Sequence, residues 1–109
     1  VACETNCLSL RTAGAEMRAV AAQNTRVHDP VYHVVLSWPD GEAPTDGQAF
    51  DCGAHALYAV GMAGHQYVFG VHCDTSHVHL HIAVNRVHPA TFKAHQCRRL
   101  RTGPCGSCA

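Results

Sequence analysis

The sequence predicts an α+β domain, with helices packed on one face of a largely antiparallel sheet. Three observations carry this. Two segments place apolar residues at helical spacings of three and four, and three others are rich in β-branched and aromatic side chains. The last two of those lie either side of the short turn "DTS" (74–76). A length of 109 residues allows one small domain with a modest core. With 47% hydrophobic and 15% charged residues the composition is that of a soluble globular protein, and the low charge argues against an intrinsically disordered tail.

The elements follow in order. Residues 12–25, "TAGAEMRAVAAQNT", set Ala13, Met17, Val20, Ala21 and Asn24 on one stripe, and Pro30 bars continuation of that helix. "VYHVVLSW" (31–38) reads as a strand closed by Pro39-Asp40-Gly41. Its period of two puts Tyr32, Val34, Leu36 and Trp38 on one face, and His33, Val35 and Ser37 on the other. A second helix starts at Thr45, with Gln48 as capping-box partner, and carries Phe50, Ala54, Leu57, Tyr58 and Gly61 as its inward stripe. "YVFGVHC" (67–73) and "HVHLHIAVNR" (77–86) are the final strands. The expected order is helix, strand, helix, strand, strand.

Four of the ten histidines fall between residues 72 and 81. Leu80, Ile82 and Val84 alternate with His79, His81 and Ala83, while Tyr67, Phe69 and Val71 alternate with Val68, Gly70 and His72. Directly opposed residues of an antiparallel pair share a face. Burying both apolar rows together therefore opposes Val71 to Leu80 and Phe69 to Ile82, and with them His72 to His79 and Gly70 to His81. A slip of one residue would ruin the core face. His79 and His81 then stand about 6 to 7 Å apart along one strand, with His72 across the ladder and Gly70 leaving room beside His81. Three imidazoles and an open coordination position describe a catalytic or ligand-polarising metal site better than a closed structural one. His77, Asn85 and Asp74 are candidate orienters of those ligands. Two other readings stand beside it: a non-catalytic His-ligated metal-binding module, which all-imidazole ligation would fill with Zn²⁺, Cu²⁺ or Ni²⁺, and a pH-responsive patch that titrates without metal.

Charge and cysteine usage bear on partners and compartment. Eight basic and eight acidic residues cancel, so no overall positive field points to nucleic acid. The seven cysteines (3, 7, 52, 73, 97, 105, 108) form no disulfide framework and no signal peptide precedes them, which predicts reduced thiols in a cytoplasmic protein. No apolar run reaches the length of a membrane span. A first residue of Val rather than Met predicts a start further upstream.

"HVVLSWPDGE" (33–42) followed by "GHQYVFGVHCDTSHVHLHIAVNRVHP" (64–89) resembles the relaxase/mobilisation nuclease family of plasmids and integrative elements. "TNCLSLRTAGAEMRAVAAQNTR" resembles the helix-bearing segment before the family's second motif. The resemblance spans about residues 5–93 and is strongest over His72, Asp74, Thr75, His79, His81 and Asn85. It implies a relaxase-like palm with the histidine hairpin at its site, and a bacterial, cytoplasmic enzyme of conjugative transfer. Such enzymes nick one strand at an origin of transfer by transesterification and stay joined to its 5′ end through a tyrosine. It further implies a divalent ion, Mg²⁺ or Mn²⁺, on His72, His79 and His81; single-stranded or nicked origin DNA, with accessory transfer proteins, as partners; DNA contacts from Ser37 and from His33 on the same strand face; and catalytic or supporting roles for Glu42, Asp74, His77 and Asn85.

The resemblance fails at both ends. The family's tyrosine lies upstream of this segment, so none of Tyr32, Tyr58 and Tyr67 matches it; Tyr32 falls on the apolar face of its strand, and Tyr58 and Tyr67 on core stripes. Residues 1–95 are therefore expected to be a nuclease domain incomplete at its N-terminus, without its nucleophile and impaired in nicking. Residues 96–109, with Arg98, Arg99, Arg101, Cys97, Cys105 and Cys108, are a divergent tail; with His95 the three cysteines offer a Cys₃His zinc knot as a minor reading.

Overall fold

A computed structural model describes residues 2–74 and 77–95. The elements are β1 (Ala2–Thr5), α1 (Leu10–Ala21), β2 (Val31–Ser37), α2 (Asp46–Ala59), β3 (Tyr67–Asp74) and β4 (His77–Asn85). The four strands make one antiparallel sheet in the order β1-β3-β4-β2. This is the expected α+β class. Thr75 and Ser76 of the turn, and the tail from residue 96, lie outside the described residues, as do the readings made on them.

β3 and β4 pair as core burial demands: Val71 opposes Leu80, Phe69 opposes Ile82, His72 opposes His79 and Gly70 opposes His81. Phe69, Val71, Leu80, Ile82 and Val84, with Leu36 of β2, are buried together. Each such side chain contributes about 1.5–3 kcal/mol when fully withdrawn from water, so the register is held by several contacts at once.

α2 begins with the expected capping box. The Thr45 hydroxyl accepts from the Gln48 N–H at 3.1 Å, and the Gln48 side chain accepts from the Thr45 N–H at 2.8 Å. Its inward side differs from the expected stripe. Ala49, Gly53 and Leu57 are buried, whereas Ala54 is exposed and Tyr58 is 72% exposed, so Tyr58 is not a core residue. Smallness decides the orientation: a Cβ on Gly53 would stand 2.8 Å from Leu80 Cδ2 and 3.0 Å from Phe69 Cζ. The helix comes that close to the sheet at Ala49 and Gly53, with Leu57 buried one turn on, which leaves Tyr58 outside.

α1 starts two residues before the expected helix and ends four earlier. The Ser9 hydroxyl accepts from the Thr12 N–H, and the Glu16 carboxylate accepts from the Leu8 N–H and the Thr12 hydroxyl; these bonds hold the Glu16 pKa below its ordinary value. At the far end, Gln23 and Asn24 donate to Val20 and Ala21 in tight turns, so Asn24 leaves the helix and its side chain donates to Phe92 O instead. Buried Ala13 and Met17 are the helix's inward residues.

β1 was not expected. "ACET" has no run of β-branched residues, and its strand character comes from pairing with β3 and from the residues just beyond it. The Thr5 hydroxyl donates to Tyr67 O, while Asn6 extends the ladder by donating to His65 O at 2.9 Å and accepting from the Tyr67 N–H at 2.9 Å.

Candidate functional site

The face of the sheet away from Phe69, Leu80 and Ile82 carries the histidines and the serine singled out from the sequence. Pairing of β2 with β4 opposes Ser37 to His79, Val35 to His81 and His33 to Ala83. Pairing of β3 with β4 brings His72 opposite His79 from the other side. A row therefore runs His72–His79–Ser37 across three strands. A second row runs Cys3–Gly70–His81–Val35 across all four, since Cys3 of β1 opposes Gly70.

His72, His81, Ser37 and Cys3 are exposed, and His79 is half-buried between its neighbours. Ser37 Oγ and His79 Nδ1 stand 3.0 Å apart, a hydrogen bond joining β2 to β4 above the backbone ladder. The rings of His72 and His81 lie 6.4 Å centre to centre at an interplanar angle of 66°, and those of His77 and His79 are 6.3 Å apart. The His72 and His81 rings share one side of the sheet, although they stand wider apart than the roughly 4.5 to 5.3 Å that two imidazoles take on one tetrahedral or octahedral ion with bonds of about 2.0–2.1 Å. Among the described residues, however, no three His, Cys, Asp or Glu side chains are gathered as a ligand set. His79 is engaged by Ser37 on the side opposite His72. The three imidazoles share one face of the sheet, and imidazole is a donor type that divalent ions accept.

The other residues singled out from the sequence are distributed differently. His77 is exposed at the end of the same row as His79, and Asp74 opposes it in the ladder. His33 is exposed on the histidine face, two positions along β2 from Val35. Glu42 turns away to an open hollow of about 530 Å³ shared with Trp38, Pro44, Gln48 and Asp51.

Asn85, the last residue of the histidine row, is completely buried. Its amide donates to Met17 O at 3.1 Å and Gln66 Oε1 at 3.0 Å, and its Oδ1 accepts from the Val87 N–H at 3.1 Å. Those bonds commit its side chain to joining α1, the loop before β3 and the chain after β4.

A second histidine group surrounds Asn85. Buried His65 has its Nδ1 2.7 Å from Asn85 O, so Nδ1 carries a proton and donates to the carbonyl. The rings of His88 and His95 meet it edge-on at 5.0 and 6.1 Å. Burial pushes the His65 pKa down, the Asn85 carbonyl opposes that shift, and His88 and His95 add to it. Long sequence separation hid this group, as it hid Cys3; neither lies in a local pattern that a one-dimensional reading detects.

The tyrosines stay off the histidine face. Tyr32 and Tyr67 oppose Val84 from either side, on the core row. Arg86 lies over the Tyr32 ring at 5.0 Å. Tyr67 stacks on Phe69 with ring centres 4.1 Å apart and donates to Glu4 Oε2 at 3.2 Å; burial and the Glu4 carboxylate raise its pKa. Tyr58 projects from α2.

The family model described as relaxase, MobA/VirD2-like, nuclease domain matches residues 1–102. A MobA protein of Acidithiobacillus ferrooxidans is 40% identical over 77 residues, 71% of this chain and 19% of its own length. Two TraI proteins of Escherichia coli are 34% identical over 95 residues and 36% over 109, covering 84% and 98% of this chain but 13% and 14% of their own lengths. The chain thus spans less than a fifth of the relatives it matches. No solved structure matches. Among the described residues no helix is long and apolar enough to cross a membrane. By its match over nearly the whole sequence, the chain belongs to the MobA/VirD2-like relaxases and represents their nuclease domain.

Proposed function

We propose that this segment is the ion- and phosphate-handling part of a DNA relaxase that nicks one strand at an origin of transfer during conjugative mobilisation. The observation that carries this reading is the set His72, His79, His81 and Ser37 on one open sheet face, with Ser37 and His79 hydrogen-bonded. His72, His79 and His81 would hold a divalent ion, Mg²⁺ or Mn²⁺. When bound, such an ion polarises a phosphoryl oxygen and offsets the charge that develops during in-line displacement.

The chain's own residues do the rest. The Ser37 hydroxyl is exposed and able to donate to a phosphate oxygen, and His33 continues that DNA-facing row along β2. His77 lies on the strand side of the turn, where its imidazole can meet DNA or assist proton movement. The sheet supplies rigidity, because every residue of the set sits on a strand paired on at least one side. No tyrosine of this segment stands at the histidine face, so the covalent step needs a nucleophile that these residues do not supply. The chain alone should therefore bind single-stranded DNA with Mn²⁺ and form no 5′-linked adduct.

The test is fluorescence anisotropy with a labelled single-stranded oligonucleotide, with and without Mn²⁺, followed by a denaturing gel. Mn²⁺-dependent binding that is lost in His72→Ala/His81→Ala supports the reading. Tight Zn²⁺ uptake with a raised melting temperature and no DNA affinity would replace it with the non-catalytic metal module.

A further inference from the structure

The 3.0 Å contact between Ser37 and His79 has two chemically distinct forms. A neutral imidazole has one N–H and one lone pair. Either Nδ1–H donates to the serine oxygen and Nε2 keeps its lone pair, or the serine O–H donates to Nδ1 and Nε2 carries the proton. Only the first form presents a nitrogen able to bind a cation. Only the first also leaves the serine proton free for another acceptor, since the oxygen is then accepting from the ring.

β2 and β4 hold Ser37 and His79 directly opposite each other, so this pair is set by the sheet and needs no loop to form it. Ser37 is exposed, and its hydroxyl proton can turn to solvent or to a phosphate oxygen while its oxygen receives the ring N–H. A ligand histidine commonly has its second nitrogen held by an acceptor that fixes tautomer and ring orientation. Here that acceptor would be a serine on the adjacent strand.

We propose that Ser37 is a positioning residue for His79: it accepts from Nδ1–H and fixes Nε2 as the free donor nitrogen, which leaves its own O–H available for the DNA contact that the family resemblance already implies. This rests on the histidine-site reading for the role of Nε2, but the tautomer itself does not depend on it. One residue thus serves two partners, and the contact to DNA and the readiness of the ion-binding ring become properties of the same hydroxyl.

The experiment records ring-nitrogen NMR spectra of the full chain labelled with ¹⁵N-histidine, free of metal, for the wild type, Ser37→Ala and Ser37→Thr. His79 should be a single Nδ1–H species in the wild type and in Ser37→Thr, and a mixture of tautomers in Ser37→Ala. Unchanged backbone amide spectra would show that the sheet is intact. Mn²⁺ titration of the same three proteins should then show about a tenfold weaker affinity for Ser37→Ala, restored in Ser37→Thr. A wild-type His79 protonated on Nε2, or a tautomer indifferent to Ser37→Ala, overturns the proposal. A wild type that takes up no Mn²⁺ yet shows the serine-dependent Nδ1–H tautomer would refute the ion-site reading while leaving the tautomer assignment standing.

Discussion

Asn85 offers the sharpest separation of structure from catalysis, because it continues the histidine row while its side chain is buried and bonded to Met17, Gln66 and Val87. In Asn85→Ala the buried Val87 N–H loses the Oδ1 that accepts from it. Met17 O and Gln66 Oε1 lose their donor as well. Gln66 is half-buried and able to turn to water, and Met17 O lies within α1, where helical bonding continues. The main cost is one buried N–H without a partner, about 1–3 kcal/mol, plus lost packing of the side chain. A total of about 2–4 kcal/mol follows, which for a domain of this size lowers Tm by roughly 10–20 °C. Thermal unfolding followed by circular dichroism measures it. Mn²⁺ and DNA affinities of the folded fraction, taken well below the transition, should stay at the wild-type values. An unchanged Tm with lost ion or DNA binding would refute the reasoning and return Asn85 to the site.

Stability should also depend on acidity through His65. Its pKa is depressed in the folded protein, chiefly by burial, so the unfolded chain binds more protons once the pH falls below about 6.5. Stability should be flat above that pH and decline as the pH is lowered from there toward the folded-state pKa; denaturant unfolding at pH 5.5, 6.5 and 8 checks this, and His65→Gln should reduce the slope. Gly53→Val should destabilise by about 1–3 kcal/mol, since even a Cβ there meets Leu80 and Phe69, and urea midpoints will show it. Thr45→Ala should cost about 1 kcal/mol through loss of the bond to the Gln48 N–H, with no effect on ion binding.

Legibility in the sequence followed the range of the forces involved. The β3–β4 register was readable because two alternating rows with one short turn admit a single pairing that buries both. The α2 start was readable because a capping box is local. The inward side of α2 is only partly legible: Leu57 and Phe50 pack on the core as their spacing predicts, but the close approach of helix to sheet, which selects Ala49 and Gly53 over Ala54 and Tyr58, is a tertiary fact that helical spacing alone does not carry. β1 and Cys3 stayed hidden because four residues carry no periodicity, and only the edge of β3 defines them. The Ser37–His79 bond needed the β2–β4 register, which no turn links in sequence and which alternation alone leaves open to shifts by two. His65, His88 and His95 meet only through the path of the chain after β4.

The most direct test of the account is a Mn²⁺ titration of the full chain followed by electron paramagnetic resonance, for the wild type and for His72→Ala, His79→Ala and His81→Ala. One bound ion per chain in the wild type, weakened strongly by each of the three substitutions and left intact by His65→Gln, is the predicted result. Binding that survives all three changes, or that follows His65 instead, would contradict the assignment of the open histidine face as the ion site.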